Sequence, residues 1–260
     1  MNPKETILEI YATASDRDLT YLAAGFAYYA FVSVIPLILL AIVVGSLLGG
    51  EDVAEQLIRV AGDFLPEAGE TLVTDALTTE SGRAEATIVA LLVAAWGGLK
   101  VFRGLSLAFD RIYGTDAENS LLEQITDGLV VILAGAGGLG LMVVTAAIIG
   151  VLSETVPLAG LLSWPLLVVG LFAVFYPMYY VLPPISLEPR EAIPGAVFAA
   201  IGWTVLQAGF QIYAANAGQY EAYGAVGAIL LFVTWLYFAG ILILFGAVVN
   251  VVGSRPELAE

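Results

Sequence analysis

The polar residues that could do chemistry in this chain are mostly neutral, and they lie inside long runs without charge. Gln207 and Gln211 are four residues apart, which places both amides on one face of a helix. In lipid such a face turns towards protein or water, so it predicts either hydrogen bonds between helices or the polar lining of a cavity. The residues predicted to line a cavity or contact a substrate are Tyr28, Tyr29, Ser33, Gln207, Gln211, Tyr213, Asn216 and Asn250.

A second group of candidates is charged and follows the second uncharged run. Lys100, Arg103 and Arg111 continue that run on a predicted helix, where Arg103 and Asp110 share a face because they are seven residues apart. Basic side chains at this position bind anionic lipid headgroups or simply fix the topology. We therefore predict Lys100, Arg103, Asp110 and Arg111 as headgroup or topology anchors.

Several classes of chemistry are disfavoured by what the sequence contains. The chain has no His and no Cys, which removes the commonest general base and the thiolate metal ligands. No ionisable residue lies at the centre of an uncharged run, so a proton relay of the usual carboxylate kind is not expected. The net charge of -15 opposes binding to phosphate backbones. The expectations are no enzyme activity, no cofactor, no metal and no nucleic-acid partner.

The acidic composition also suggests a source. The chain has 24 acidic and 9 basic residues, and Lys4 and Lys100 are its only lysines. High salt screens the self-repulsion of such a surface, so we expect a halophile; acidic loops on an ordinary protein are the alternative.

Six runs without charge position these candidates. A helix needs roughly 20 apolar residues to cross a bilayer, and five of the six runs exceed that length. The sequence therefore predicts an all-α, polytopic bundle of six transmembrane helices in a single membrane domain over residues 1–260. The predicted spans are 22–48, 84–102, 128–152, 157–182, 192–216 and 224–252.

The distribution of basic residues predicts the orientation. With a cytoplasmic N-terminus, seven basic residues fall on the inner side and two, Arg59 and Arg83, on the outer side. This asymmetry satisfies the positive-inside rule. We expect a multi-pass protein of the plasma or inner membrane with both termini in the cytoplasm.

The segments outside the spans predict short amphipathic helices, which lie on the membrane surface or, in the outer loop, cap the bundle. Apolar residues recur at helical spacing in the outer loop, residues 50–83, and again at Ile7, Ile10, Tyr11 and Ala14. Prolines from Pro177 to Pro194 predict a broken helix end followed by a cytoplasmic turn. Small residues four apart in the spans predict close helix packing, within one chain or between copies in a homo-oligomer.

Three stretches together resemble a known family. They are Ala23 to Pro36, then Trp96 with Phe102-Arg103-Gly104 and Asp110 to Gly114, and finally Pro194-Gly-Ala with Tyr213, Tyr220, Tyr223-Gly224, Gly227-Ala, Trp235-Leu-Tyr and Gly246 to Asn250. These residues resemble the YihY/BrkB family of inner-membrane proteins over essentially the whole membrane region. The resemblance implies six spans with cytoplasmic termini. Family labels include ribonuclease BN, a virulence or serum-resistance factor and a transport protein connected with envelope lipids; the ribonuclease label fits this composition badly.

Two functional hypotheses follow from this reading. The first is a transport or flippase-like membrane protein that handles a lipid or other amphiphile, with membrane lipids as its partners. The second is a non-transporting membrane scaffold or envelope-integrity protein. A water-accessible cleft to the bilayer midplane favours the first hypothesis, and a dry interior with a large apolar contact surface favours the second.

Overall fold

The computed structural model describes residues 3–34, 82–115, 126–135, 137, 138, 140, 163–217 and 224–254. Within these ranges the chain forms helices and turns without a strand, so the predicted all-α class is confirmed there. The seven helices are α1 Pro3–Asp16, α2 Leu19–Val34, α3 Gly82–Tyr113, α4 Thr126–Gly135, α5 Ser163–Val181, α6 Ile193–Ala217 and α7 Gly224–Ser254. Most of the outer loop, and with it the predicted pair of amphipathic helices there, lies outside the described residues.

Three of these helices are long and apolar enough to cross a membrane. The segments are Trp164–Val181, Ile193–Tyr213 and Ile229–Gly253, and they coincide with the predicted fourth, fifth and sixth spans. Helices α2 and α4 are shorter apolar helices that occupy the beginnings of the predicted first and third spans. Helix α3 runs through the predicted second span without a break. The count of six spans stays a prediction, because parts of the first and third spans are not described.

The chain divides into two compact units. The first contains Met1–Ala27 and Gly104–Glu260, and the second contains Tyr28–Arg103. Helices α2 and α3 contribute residues to both units, whereas α1 and α4 to α7 belong to the first. The single domain over residues 1–260 stays a prediction.

The core of the first unit is built by α5, α6 and α7, which pack in sequence, with α1 packed against α7. Aromatic rings link the three spans. The ring centroid of Phe175 on α5 lies 5.4 Å from that of Trp203 on α6, and the Trp203 centroid lies 5.3 Å from that of Trp235 on α7. The last pair meets edge to face, an arrangement that aromatic rings prefer to a flat sandwich. These contacts fix the three apolar helices side by side.

Proline and glycine mark the helix ends that matter for the site. Helix α5 continues through Pro177 to Val181, so the predicted break begins after this proline rather than at it. Residues 182–192 form the turn, and Pro194 lies in the first turn of α6, where a missing N–H costs little. The predicted turn between the fourth and fifth spans is therefore present.

The end of α3 is capped by a glycine in the left-handed conformation. Gly114 has φ 68°, its N–H donates to Arg111 O, and the Thr115 N–H donates to Asp110 O. This pair of bonds is a Schellman motif, which favours glycine because a Cβ is strained at that φ. The Arg17 guanidinium lies so close to Gly114 that an added Cβ would be 2.8 Å from Arg17 Nη2. The turn after α1 thus covers the end of α3.

The N-terminal segment is helical as predicted, and its apolar face is divided. Thr13 and Ala14 are buried, whereas Ile7, Leu8 and Tyr11 are exposed. Its location at the membrane surface stays a prediction.

Candidate functional site

Asn250 joins the end of α7 to the beginning of α6. Its side chain is 1% exposed, and its Oδ1 accepts a hydrogen bond of 2.6 Å from the Gly195 N–H. Gly195 lies in the first turn of α6, where backbone N–H groups have no partner within the helix. The amide of Asn250 therefore satisfies a donor that the helix itself leaves open.

Two glycines allow this close approach. A Cβ added at Gly195 would lie 2.6 Å from Asn250 Nδ2 and closer still to the backbone oxygen of Gly246. A Cβ added at Gly246 would meet the hydroxyl of Tyr179 and the oxygen of Gly195. Small residues let helix backbones approach in this way inside a membrane. The contact between α6 and α7 is thus made partly by backbone atoms.

Tyr179 connects α5 to the contact between α6 and α7. The side chain is fully buried, and its hydroxyl donates a hydrogen bond of 2.7 Å to the backbone oxygen of Ile243 on α7. Its ring lies 5.9 Å from the ring of Phe109 on α3. A tyrosine with an apolar ring and a bonded hydroxyl is suited to such a dry junction.

Tyr113, the last residue of α3, completes this site. Its side chain is buried, and its Oη has no hydrogen-bond partner of standard geometry. Burial raises the pKa of the Tyr113 hydroxyl well above its usual value; nearby Asn250 lowers that pKa in part, and the charge of Glu191 raises it further. We call Tyr113, Tyr179, Gly195, Gly246 and Asn250 the polar junction.

Asp110 lies one helical turn before Tyr113 and differs from the basic residues with which the sequence grouped it. Its side chain is 8% exposed, and its Oδ1 is buried without a hydrogen-bond partner. Burial raises the pKa of this carboxyl to about 6. Lys100, Arg103 and Arg111 are exposed. Arg111 Nη2 lies 3.9 Å from Asp18 Oδ2, an exposed pair worth at most about 1 kcal/mol. The headgroup role of all four residues stays a prediction.

Three buried polar atoms at this end of the first unit lack partners, and they are chemically complementary. They are Asp110 Oδ1, Tyr113 Oη and Asn250 Nδ2. A carboxylate oxygen accepts, a phenol hydroxyl donates or accepts, and an amide nitrogen donates. Unsatisfied buried groups are rare in proteins, so each of these three atoms calls for a specific explanation. Among the described residues, no cluster of three metal-ligating side chains occurs.

The other predicted cavity residues of the first unit lie further along α6. Gln207, Gln211 and Tyr213 are exposed, and Asn216 lies on α6 with its side chain outside the described part. Gln207 is twelve residues beyond Gly195, which is about 18 Å along a helix. The structure therefore separates these side chains from Asn250, with which the sequence grouped them.

The predicted cavity residues of the second unit have different environments. Tyr28 is 62% exposed and Tyr29 is 39% exposed, and their rings meet edge to face with centroids 5.5 Å apart. Ser33 is buried, and its hydroxyl donates a hydrogen bond of 3.0 Å to Gly97 O. This bond ties α2 to α3.

Lys100, one of the predicted anchors, belongs to the second unit as well. Its ammonium lies 3.8 Å from the centroid of the Trp96 ring, which is a cation–π contact. The two exposed side chains thus form one amphipathic group of the kind found at membrane surfaces.

Sequence reasoning did not identify four members of the polar junction as site residues. Tyr113, Tyr179, Gly195 and Gly246 are in this group. The spacing of Asp110 and Tyr113 was a usable signal, because residues three apart share a helix face. Gly195, directly after Pro194, was a second usable signal. Glycine destabilises a helix relative to alanine, so its presence in the first turn of a span indicates a close neighbour.

The chain is similar in sequence to known proteins over nearly its whole length. Residues 10–260 match the family model described as Virulence factor BrkB. A UPF0761 membrane protein from Azoarcus sp. (strain BH72) is 27% identical over 92% of this chain and 60% of its own length. A UPF0761 membrane protein from Alteromonas mediterranea is 27% identical over 89% of this chain and 82% of its own length.

A shorter match leads to a differently named relative. It is a Bacillus subtilis protein, named as ribonuclease-like, that is 35% identical over 37% of this chain and 36% of its own length. The chain therefore spans about a third of this relative's length. No solved structure matches the chain. Because the family match covers nearly all residues and the relatives that match most of this chain are named membrane proteins, this chain belongs to the Virulence factor BrkB family of membrane proteins.

Proposed function

We propose that this protein moves a lipid or other amphiphile across the cell membrane in the manner of a flippase. The observation that supports the proposal is the exposure of Gln207 and Gln211 on α6, inside the candidate span Ile193–Tyr213. Both side chains end in amides, and both lie in a helix that carries no charge.

The energetics of an amide in hydrocarbon explain why these residues need a polar partner. Transfer of an amide to an apolar environment without a hydrogen bond costs roughly 2 to 7 kcal/mol. Thr204 lies on the same face, three residues before Gln207, but its hydroxyl already donates to Ala200 O at 2.8 Å. The longer glutamine side chains extend beyond the helix backbone, so a partner must come from elsewhere.

An amphiphile's headgroup is a suitable partner. Each glutamine amide both donates and accepts hydrogen bonds, so two amides one turn apart can hold a polar headgroup while the acyl chains stay in lipid. Such contacts lower the barrier for moving the headgroup through the apolar region. Each hydrogen bond contributes about 0.5 to 1.5 kcal/mol, so the pair contributes about 1 to 3 kcal/mol.

The experiment is lipid translocation in reconstituted vesicles. We expect the wild-type chain to accelerate exchange of a fluorescent phospholipid between leaflets. The exchange is measured by chemical quenching of the fluorescence in the outer leaflet. Replacement of both glutamines, Gln207→Leu with Gln211→Leu, should slow the exchange by about 5- to 150-fold, the factor that 1 to 3 kcal/mol represents. The matched control is Thr234→Val on α7, because this exposed hydroxyl already donates to Leu230 O at 2.7 Å.

Two results would overturn the proposal. Exchange no faster than in protein-free vesicles removes transport of that lipid class, and equal rates for the wild type and the double variant remove the role of the glutamines. If the double variant instead loses self-association while wild-type exchange is absent, the glutamines bond between helices and the scaffold hypothesis is favoured. A ribonuclease activity is not part of the proposal, because the net charge of -15 opposes RNA binding.

We also propose that the end of the first unit holding the polar junction faces the cytoplasm. Segments predicted to be cytoplasmic meet there. Arg17 lies against Gly114, the charge of Glu191 raises the pKa of Tyr113, and the Gly195 N–H donates a hydrogen bond to Asn250. Their proximity supports the orientation derived from the positive-inside rule and so supports cytoplasmic termini.

A further inference from the structure

The Asp110 carboxyl is enclosed near the end of α3, beyond the predicted second span. Its Oδ1 is buried without a hydrogen-bond partner, and its neighbours Phe109, Ile112 and Tyr113 are buried as well. The Oδ1 atom of the Asp110 carboxylate has lost water without gaining a donor, which disfavours the charged form. A protonated carboxyl avoids that cost, since it is neutral and carries its own donor.

Several charged or titratable groups surround this end of α3, and burial is the cause that raises the pKa of the Asp110 carboxyl. The charged or titratable neighbours are Arg17 and Asp18 in the turn after α1, Arg111 and Tyr113 on α3, Tyr179 on α5 and Glu191 before α6; α7 presents the neutral Asn250. Arg111 is directed to Asp18 at the surface, and Arg17 lies against Gly114. The charge of Glu191 raises the pKa of the neighbouring Tyr113 hydroxyl.

We propose that Asp110 is a proton-binding site. Protonation of its carboxyl is linked to the packing of the end of α3, which carries Tyr113, against the other residues of the polar junction. The proton comes from water, forms an O–H bond at the carboxyl and returns to water on release. Protonation favours the packed arrangement. Ionisation favours its loosening, because only the charged form gains from hydration.

The pKa of Asp110 places this exchange in an accessible range. Burial raises the pKa from the ordinary value of 3.8 to about 6. The folded protein therefore binds the proton more tightly than the unfolded chain. By linkage, the contribution of Asp110 to stability falls as pH rises from about 4 to about 6 and stays at its lower level above that range.

Thermal unfolding of the full-length protein in nanodiscs tests the proposal. The variant Asp110→Asn is always neutral, so it should be more stable relative to wild type at about pH 8 than at about pH 5. We expect the difference in midpoint temperature between the two proteins to change over this range with a transition near pH 6. The matched control is Asp18→Asn, an exposed carboxylate on the same end, whose difference from wild type should not change over this range.

Parallel pH profiles for wild type and Asp110→Asn would overturn the proposal, and so would an equal response of Asp18→Asn. If Asp110→Asn does not fold, infrared titration of the wild type decides instead. A protonated-carboxyl band that persists above the titration of exposed carboxylates, at about pH 5, supports the site; its disappearance by that pH refutes it. Neither measurement involves transport, so this inference and the proposed function can fail separately.

Discussion

Substitution of Gly195 by alanine is the sharpest test of the polar junction. The added methyl group would lie 2.6 Å from Asn250 Nδ2, 2.8 Å from Asn250 Cγ and closer still to Gly246 O. The Asn250 side chain can turn aside, but Gly246 O belongs to the backbone of α7. Helix α6 must therefore move away from α7, and the hydrogen bond between the Gly195 N–H and Asn250 Oδ1 is weakened or lost.

The magnitude follows from these two effects. Overpacking costs about 1 to 3 kcal/mol, and a lost hydrogen bond costs about 0.5 to 1.5 kcal/mol. Alanine recovers up to about 1 kcal/mol, because glycine is a poorer helix former. We therefore expect Gly195→Ala to lower the free energy of unfolding by about 0.5 to 4.5 kcal/mol.

The same helix supplies the control. A Cβ added at Gly209 of α6 meets no atom within 4 Å, so Gly209→Ala carries the gain in helix propensity without a clash. Both variants would be compared with wild type by reversible unfolding in mixed detergent micelles. Gly195→Ala should be clearly less stable, and Gly209→Ala equal to or more stable than wild type. Equal stability of the two variants would refute the close approach of α6 and α7.

Two further predictions concern the same end of the molecule. Asn250→Ala removes the acceptor of the Gly195 N–H and should cost about 1 to 3 kcal/mol in the same unfolding assay, because a buried donor is left without a partner; an unchanged free energy of unfolding would contradict this role. The chain has no native cysteine, so the single variants Lys4→Cys and Glu260→Cys each carry one thiol. Each thiol should react with a membrane-impermeant reagent only after the cells are permeabilised and the reagent reaches the cytoplasm. Reaction of either variant in intact cells would reject the proposed orientation.

Much of the fold could be predicted because hydrocarbon imposes a simple rule on sequence. A run such as 224–252 without charge has few structures available other than a spanning helix, and α7 matches it within a few residues. Pro177 was harder to interpret. A proline in an apolar helix predicts a break, but α5 continues one turn beyond it, since neighbouring helices can satisfy the freed backbone groups in a membrane.

The site was less predictable, because burial at a helix end depends on partners far away in sequence. Asp110 lies between Arg103 and Arg111 in the sequence, which suggests a surface position, yet Asp110 is buried. Asn250 was predicted as a polar residue of a span, but its partner Gly195 is 55 residues away and could not be found from spacing. Conversely, the common face of Gln207 and Gln211 follows from helix periodicity alone.

The close approach at Gly195 and Gly246 also bears on how α6 and α7 could move relative to each other. Backbone atoms of α6 and α7 approach each other closely at Gly195 and Gly246, so this end of the pair has no room for a larger separation to be filled by side chains. If α6 tilted about this point, its far end would move the most. Gln211 lies sixteen residues from the fulcrum, or about 24 Å, so a tilt of about 5° would carry its amide about 2 Å sideways. A small change at the closed end would thus be enlarged where the glutamines stand.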